Sequence, residues 1–189
     1  MIPLILASAS PRRQELLRQL GREFSVIPSS AEEVHDEMLS PGEVSRINAA
    51  RKAFAVSRQH PDALVIGMDT VVAMEGRLFG KPGDMAQALE MIMALQGKWH
   101  DVITGVCLIQ KQKRFRRLFS VRTEVKFRPL SETEIRQYHS LVNPLDKAGA
   151  YGIQEQGGLI VETLRGSFTN VVGLPLERLR EELSQWESS

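Results

Sequence analysis

The stretch IPLILASASPRR, residues 2–13, decides the fold of this 189-residue chain. Its first half, Ile2 to Ala7, is a continuous apolar run, which predicts a short buried strand. Ser10 stands at the N-cap position of a following helix, and Pro11 is its first residue, where the missing N–H of proline removes no hydrogen bond. Leucines at helical spacing continue the pattern and end at a glycine. A strand that turns directly into a helix predicts an α/β protein.

The turn between this strand and this helix carries two serines and two arginines, namely Ser8, Ser10, Arg12 and Arg13. A helix N-terminus presents free N–H groups and the positive end of the helix dipole. Arginine in the first turn opposes that dipole and weakens the helix unless an anion lies nearby. We therefore predict that the turn binds the phosphates of a nucleotide. From this segment alone, an ordinary capped surface helix with solvated arginines stays an open alternative.

The composition is that of an ordinary globular protein, with 42% hydrophobic residues, 25% charged residues and a net charge of +1. Its length fits a single domain, residues 1–189. No apolar run approaches the roughly 20 residues that span a bilayer, and the N-terminus lacks the basic start of a signal peptide. The single cysteine, Cys107, excludes an internal disulfide and a thiolate zinc site. We expect a cytoplasmic protein without a membrane partner, and the balanced charge argues against nucleic acid.

The rest of the chain predicts a mixed, twisted sheet with helices packed on it. Ala63 to Met68 is typical of a strand buried on both faces, which ends at Asp69. Trp99 to Ile109 and Phe115 to Phe127 predict two long antiparallel strands, and a β-rich sub-lobe is expected at about residues 97–130. The other predicted elements are strands at 24–28 and 159–164, a hairpin over 71–78 that turns at Glu75-Gly76, and helices at 43–60, 84–95, from 131, and 174–186.

The helix predicted over residues 43–60 carries two polar residues on one face. Asn48 and Lys52 lie four residues apart and therefore point the same way. The apolar face of this helix is predicted to consist of Val44, Ile47, Ala50, Ala53 and Phe54.

Two charged residues at element ends are candidates for chemistry. Asp69 follows the most hydrophobic strand, where a carboxylate is partly desolvated and therefore costly unless it binds a cation or acts as a base. Lys81 lies in the tight loop Gly80–Gly83, from which its ammonium can contact phosphate. A P-loop is excluded there because Pro82 stands where Ser or Thr is needed. A capping aspartate and a solvated turn lysine are the alternatives.

An acidic loop follows the second predicted strand. Its carboxylates can supply the hard oxygen ligands that magnesium and manganese prefer, although most charges in such a run are solvated. They are Glu32, Glu33, Asp36 and Glu37. The pattern contains no Ser–His or Cys–His nucleophile and no dinucleotide-binding glycine motif. Basic residues together with carboxylates suit metal-assisted attack of water on a phosphoric anhydride.

Six short motifs occur in one order along the chain: SxSPRR at 8–13, Glu33, Lys52, DTVV at 69–72, GKP at 80–82 and DKAGAYG at 146–152. Together they resemble the Maf family of nucleotide pyrophosphatases, from Leu4 to about Leu176. The resemblance implies an inosine-triphosphate-pyrophosphatase-like α/β fold with a cleft between two lobes, as a homodimer. It also implies hydrolysis of a nucleoside triphosphate to the monophosphate and pyrophosphate, dependent on a divalent cation such as Mg²⁺ or Mn²⁺.

The resemblance also implies roles for individual residues. Asp69 corresponds to the proton acceptor, and Glu33 with Asp69 to the metal-binding carboxylates. The residues that correspond to the phosphate contacts are Ser8, Arg12, Arg13, Lys52 and Lys81. The three specificity positions are occupied by Arg13, Thr70 and Gln154, which is similar to the branch that acts on dTTP, UTP and modified pyrimidine triphosphates.

Two alternatives stay open. The first keeps the chemistry and changes the substrate to 7-methyl-GTP or another modified nucleotide, although that 7-methyl-GTP branch usually has tryptophan in the first-turn motif. The second is a nucleotide-sensing regulator of septum formation and cell division. In that case the basic segment Lys111–Arg117 is a candidate contact for a partner or for nucleic acid, and a solvated hairpin tip is the alternative.

Overall fold

A computed structural model describes residues 2–36 and 38–188, which form a seven-stranded mixed sheet flanked by helices. This confirms the predicted α/β class. The strands are β1 (Leu4–Leu6), β2 (Ser25–Val26), β3 (Leu64–Met74), β4 (Arg77–Phe79), β5 (Trp99–Gln110), β6 (Phe115–Phe127) and β7 (Val161–Arg165). The α-helices are α1 (Pro11–Arg18), α2 (Pro41–Ser57), α3 (Met85–Leu95), α4 (Glu132–Leu141), α5 (Phe168–Val172) and α6 (Leu176–Glu187).

Strand β3 connects the two halves of the sheet. Its beginning pairs in parallel with β1, which itself pairs in parallel with β2, and its end pairs with β4. Along its length, from Val65 to Ala73, it pairs antiparallel with β5, and β6 and β7 continue the sheet. The prediction that this strand ends at Asp69 is wrong, because the ladder with β5 continues past it. Asp69 lies in the middle of β3, beyond the point where the short β1 stops.

Of the apolar cores that the described residues form, two lie at opposite ends of β3. Leu64, Ile66 and Met68 pack into the first core with α1 and α6. Val72 packs into the second core with α3 and α4. Asp69 and Thr70 therefore lie between the cores, which gives the two-lobed arrangement with a cleft that was expected. The single-domain organisation and the sub-lobe at 97–130 stay predictions, and that segment contains β5 and β6 of the common sheet.

Helix α2 crosses the sheet at unusually close range because two glycines face it. A Cβ atom on Gly67 would collide with the main chain at Ala49, and one on Gly105 would collide with the main chain at Ser45. The buried face of α2 therefore uses small residues, and Ile47 and Phe54 are 36% and 51% exposed. Their predicted burial is wrong, because helical periodicity does not reveal which side faces a glycine-lined sheet.

Local signals predicted several element ends correctly. The Ser10 side chain accepts a hydrogen bond from the Arg13 amide at 3.4 Å and caps α1. The turn between β3 and β4 places Glu75 and Gly76 at φ of 53° and 81°, as a tight hairpin requires. Helix α5 was not predicted. No helix in the described ranges combines the length and the apolar character needed to cross a membrane.

Candidate functional site

A cavity of about 540 Å³ opens between the two cores, which is a typical volume for a small-molecule site. It brings together all of the predicted site residues except Ser8. These lining residues are Arg12, Arg13, Glu33, Lys52, Asp69, Thr70, Lys81 and Gln154. They come from six separate segments of the chain, so only the fold makes them neighbours.

Lys52 joins two carboxylates at this cavity. Its Nζ lies 2.6 Å from Asp69 Oδ1 and 2.6 Å from Glu33 Oε1. Asp69 is only 6% exposed, so the ammonium supplies the positive charge that a buried carboxylate needs. Partial burial opposes ionisation of Glu33, but the hydrogen bond from Lys52 and the charges of Lys52 and Lys81 outweigh it and lower the pKa of Glu33. Both carboxylates are therefore held near one cation.

Asn48 of α2 contacts both Asp69 and the acidic loop. Its Nδ2 donates to Asp69 Oδ2 at 3.3 Å and to the Val34 carbonyl at 3.2 Å, while its Oδ1 accepts from the Val34 amide at 2.7 Å. A single buried amide thus ties the acidic loop to Asp69. The sequence placed Asn48 on the Lys52 face of the helix but assigned it no role. An amide next to small apolar residues on one helix face was the available signal.

Arg13 is bound mainly by the protein itself. Its Nε donates to the Gly173 carbonyl at 2.8 Å, Nη1 to Ser8 Oγ at 3.1 Å and to the Met68 carbonyl at 3.3 Å, and Nη2 to Thr70 Oγ1 at 2.9 Å. Desolvation lowers the pKa of Arg13, although the negative charge of Asp69 acts to raise it. Four of its five donors are occupied, so one N–H is left for a ligand. Ser8, at 8% exposed, positions this guanidinium.

Arg12 belongs to a second charge cluster, which the sequence did not predict. Its Nη1 lies 3.3 Å from Asp146 Oδ2 and 3.3 Å from Glu155 Oε1. Lys147, with a side chain that is 5% exposed, contacts the same two carboxylates at 2.7 and 3.2 Å. Burial raises the pKa of Asp146, but the contacts with Lys147 and Arg12 dominate and lower it. This cluster fixes both ends of the loop that carries Gln154.

Lys81 and Gln154 are exposed residues on the wall of the cavity. In the described part of the chain neither side chain has a hydrogen-bond partner, so both are available to a ligand. Tyr151 also lines the cavity, and its hydroxyl lies 2.8 Å from Nε2 of the buried His100. Burial lowers the pKa of His100 to about 4, so this imidazole is neutral at pH 7.

Within residues 2–36 and 38–188, no group of three or more His, Cys, Asp or Glu side chains is arranged to hold a metal ion. Glu32 and Asp36 are exposed, and Glu37 lies outside the described residues. The Lys111–Arg117 segment forms the tip of the β5–β6 hairpin, away from the residues that line the cavity.

Known proteins resemble this chain over its whole length. The family model described as Maf, Maf-like protein, matches residues 3–186. A dTTP/UTP pyrophosphatase of Bacillus cytotoxicus is 45% identical over 188 residues, which cover 100% of this chain and 97% of the relative. A dTTP/UTP pyrophosphatase of Syntrophus aciditrophicus is 46% identical over 185 residues, which cover 98% of this chain and 90% of the relative.

The fold is also similar to that of a solved structure, a HAM1 protein from Coxiella burnetii. The match has a TM-score of 0.50 at 17% identity and covers 98% of this chain and 100% of that chain. At this identity the likeness concerns the fold alone, and it agrees with the predicted inosine-triphosphate-pyrophosphatase-like architecture.

Proposed function

The chain belongs to the Maf family, and we propose that it is a metal-dependent nucleoside triphosphate pyrophosphatase that hydrolyses dTTP and UTP to the monophosphate and pyrophosphate. The curated relatives named dTTP/UTP pyrophosphatase support this substrate class. The observation that carries the chemistry is the position of Lys52, within 2.6 Å of both Asp69 and Glu33 at a cavity lined by further cations. A cluster of basic groups with two carboxylates fits a triphosphate and the ion that accompanies it.

The residues present fit a magnesium or manganese ion. Glu33 and Asp69 offer hard carboxylate oxygens near one another, and magnesium is commonly bound by one or two carboxylates together with substrate phosphates. The ion would be held by Glu33 and Asp69, or by Asp69 with the phosphates. When bound, it supplies Lewis-acid stabilisation of charge on the phosphoryl oxygens.

Asp69 accepts the proton of the attacking water. An ionised carboxylate has about four acceptor positions, and contacts with Lys52 and Asn48 occupy one on each oxygen. Acceptor capacity therefore remains for a water molecule in the cavity. Lys52 and Asn48 also hold the carboxylate of Asp69 in position at the cavity.

The cations around the cavity bind the phosphates. Within the described ranges the Lys81 side chain makes no hydrogen bond or ion pair. The ammonium of Lys52 forms ion pairs with both Glu33 and Asp69. Arg12 contacts Asp146 and Glu155 at 3.3 Å, longer than the best ion pairs, so a more highly charged triphosphate can compete for it. Arg13 contributes one free N–H. These groups offset the charge that develops on the leaving pyrophosphate.

Gln154 is proposed to contact the base, because its free amide can donate a hydrogen bond to a carbonyl oxygen of uracil or thymine. Arg13 and Thr70 complete the set of specificity positions. Homodimeric assembly and a cytoplasmic location stay predictions from the sequence.

The test is pyrophosphate release from a panel of triphosphates, with Mg²⁺ or Mn²⁺ and with chelator. The panel contains dTTP, UTP, 5-methyl-UTP, CTP, GTP, 7-methyl-GTP and ITP. We expect metal-dependent cleavage of dTTP and UTP well above the purines. Preference for 7-methyl-GTP would keep the chemistry and overturn the substrate. Nucleotide binding without turnover of any member would favour the nucleotide-sensing regulator instead.

A further inference from the structure

The hydroxyl of Thr70 belongs to a chain of hydrogen bonds that runs from the cavity into the protein. Arg13 Nη2 lies 2.9 Å from Thr70 Oγ1, which lies 3.0 Å from Thr104 Oγ1. Thr104 Oγ1 in turn lies 3.0 Å from the Asn170 carbonyl oxygen. Thr104 is fully buried on β5, directly opposite Thr70 in the β3–β5 ladder, whereas Thr70 lines the cavity.

The direction of each hydrogen bond follows from the groups at the two ends. A carbonyl oxygen can only accept, so the contact with Asn170 uses the single hydroxyl proton of Thr104. Thr104 must then accept from Thr70, which uses the single proton of Thr70. A guanidinium can only donate, so Thr70 accepts from Arg13. What remains on the Thr70 hydroxyl is one lone pair and no proton.

We infer that Thr104 is a positioning residue for substrate specificity, because it orients the Thr70 hydroxyl as a pure hydrogen-bond acceptor in the cavity. This inference rests on the proposed function and concerns the choice of base. The N3 atom of uracil and thymine carries a hydrogen and donates, whereas N3 of cytosine accepts. An acceptor fixed at Thr70 pairs with the first two bases and faces a second acceptor in cytosine, whose polar edge is then left unpaired.

Gly173 and Arg13 also lie beside the Thr70 hydroxyl. Gly173 lies so close that a Cβ atom there would be 3.4 Å from Thr70 Oγ1, and its φ of +115° suits glycine. The neighbouring Arg13 cannot accept a proton in any state that proteins reach. Among the residues that the structure describes, Thr104 Oγ1 is the acceptor at 3.0 Å from Thr70 Oγ1, and it keeps the Thr70 proton out of the cavity.

The variant that tests this is Thr104→Val, which keeps the shape of the side chain and removes the hydroxyl. The Asn170 carbonyl keeps a hydrogen bond from the Gly173 amide at 3.0 Å, so it is not left unpaired. The Thr70 proton, in contrast, loses its acceptor and becomes free to donate into the cavity. The measured quantity is the ratio of kcat/KM for UTP to that for CTP.

We expect Thr104→Val to lower this ratio about tenfold or more, mainly through better use of CTP, which corresponds to one hydrogen bond of about 1.4 kcal/mol. Thr104→Ser keeps the hydroxyl and should restore the wild-type ratio within about twofold. Thr123→Val is the matched control, because Thr123 is equally buried and contacts the Asn170 side chain but does not touch Thr70. It should lose stability without changing the ratio.

An unchanged UTP to CTP ratio in a folded, active Thr104→Val protein would overturn the inference and leave the proposed function intact. An equal change in Thr104→Val and Thr123→Val would also overturn it, since the effect would then follow from the packing around α5. If Thr104→Val does not fold, the inference is tested with Thr104→Ser. A UTP to CTP ratio in Thr104→Ser that departs tenfold from the wild-type value contradicts the inference. A wild-type protein that cleaves no triphosphate would instead refute the proposed function itself.

Discussion

Replacement of Asp69 by asparagine isolates the chemical step from binding. The substitution preserves the shape of the side chain of a residue that is 6% exposed, and removes its negative charge and its basicity. A general base contributes roughly 10²–10⁴-fold to turnover. We therefore expect kcat for dTTP to fall by at least about 100-fold in Asp69→Asn, with a smaller change in KM because Arg12, Lys52 and Lys81 still contact the phosphates.

The structural cost of the same change is limited. Lys52 loses one contact of 2.6 Å but keeps Glu33, and Asn48 keeps both bonds to Val34. Loss of a hydrogen bond to a charged group costs about 1.5–3 kcal/mol, against a typical stability of about 5–15 kcal/mol. The variant should therefore stay folded, and its lower turnover should reflect chemistry. Thermal unfolding checks the fold, and pyrophosphate release gives kcat and KM.

Asp101→Asn is the matched control, because it makes the same substitution at a carboxylate whose partner is Arg122, at 2.8 Å, outside the cavity. It should keep turnover within about twofold of the wild type, as surface pairs contribute little. A folded Asp69→Asn protein with kcat within tenfold of the wild type would refute the assignment of Asp69 as the base. Equal losses in both variants would refute it as well, since the effect would then not belong to this site.

Three further perturbations test other parts of the structure. Gly105→Ala should destabilise the fold by about 1–3 kcal/mol or more and lower turnover, because the added methyl collides with the α2 main chain that positions Lys52. The control is Gly158→Ala, where no atom lies within 4 Å of the added methyl, and it should be nearly neutral in the same unfolding and activity assays. His100 has a pKa of about 4 when folded against 6.5 when unfolded, so between these values the unfolded chain binds the extra proton and stability falls as the pH falls. From pH 7 to pH 5 the wild type should lose about 2 kcal/mol more than His100→Gln in denaturant titrations, and equal losses would contradict a neutral buried imidazole. Gln154→Ala should reduce the preference for UTP over other bases about tenfold while changing kcat for the preferred substrate less, and an unchanged substrate profile would exclude Gln154 from base recognition.

The amino-acid sequence by itself predicted most of the elements and most of the residues that line the cavity. Ser10 and Pro11 define the start of α1, and the β-branched runs predict β5 and β6, because capping and hydrophobic periodicity act over a few residues. The residues of the cavity were also identified in advance, since Arg12, Lys52, Asp69 and Lys81 occur in short motifs. Such local patterns need no knowledge of the rest of the chain.

The tertiary structure alone decided which of these groups touch. The positions of Glu33, Lys52 and Asp69 in the sequence do not reveal how far apart their side chains lie. Only the close crossing of α2 over Gly67 and Gly105 brings Lys52 to both carboxylates. The extension of β3 past Asp69 likewise depends on its ladder with β5, which no local pattern encodes. Contacts between distant segments depend on packing and pairing across the whole sheet. The partners of Arg12 and the orientation of the Thr70 hydroxyl therefore could not be predicted from the sequence.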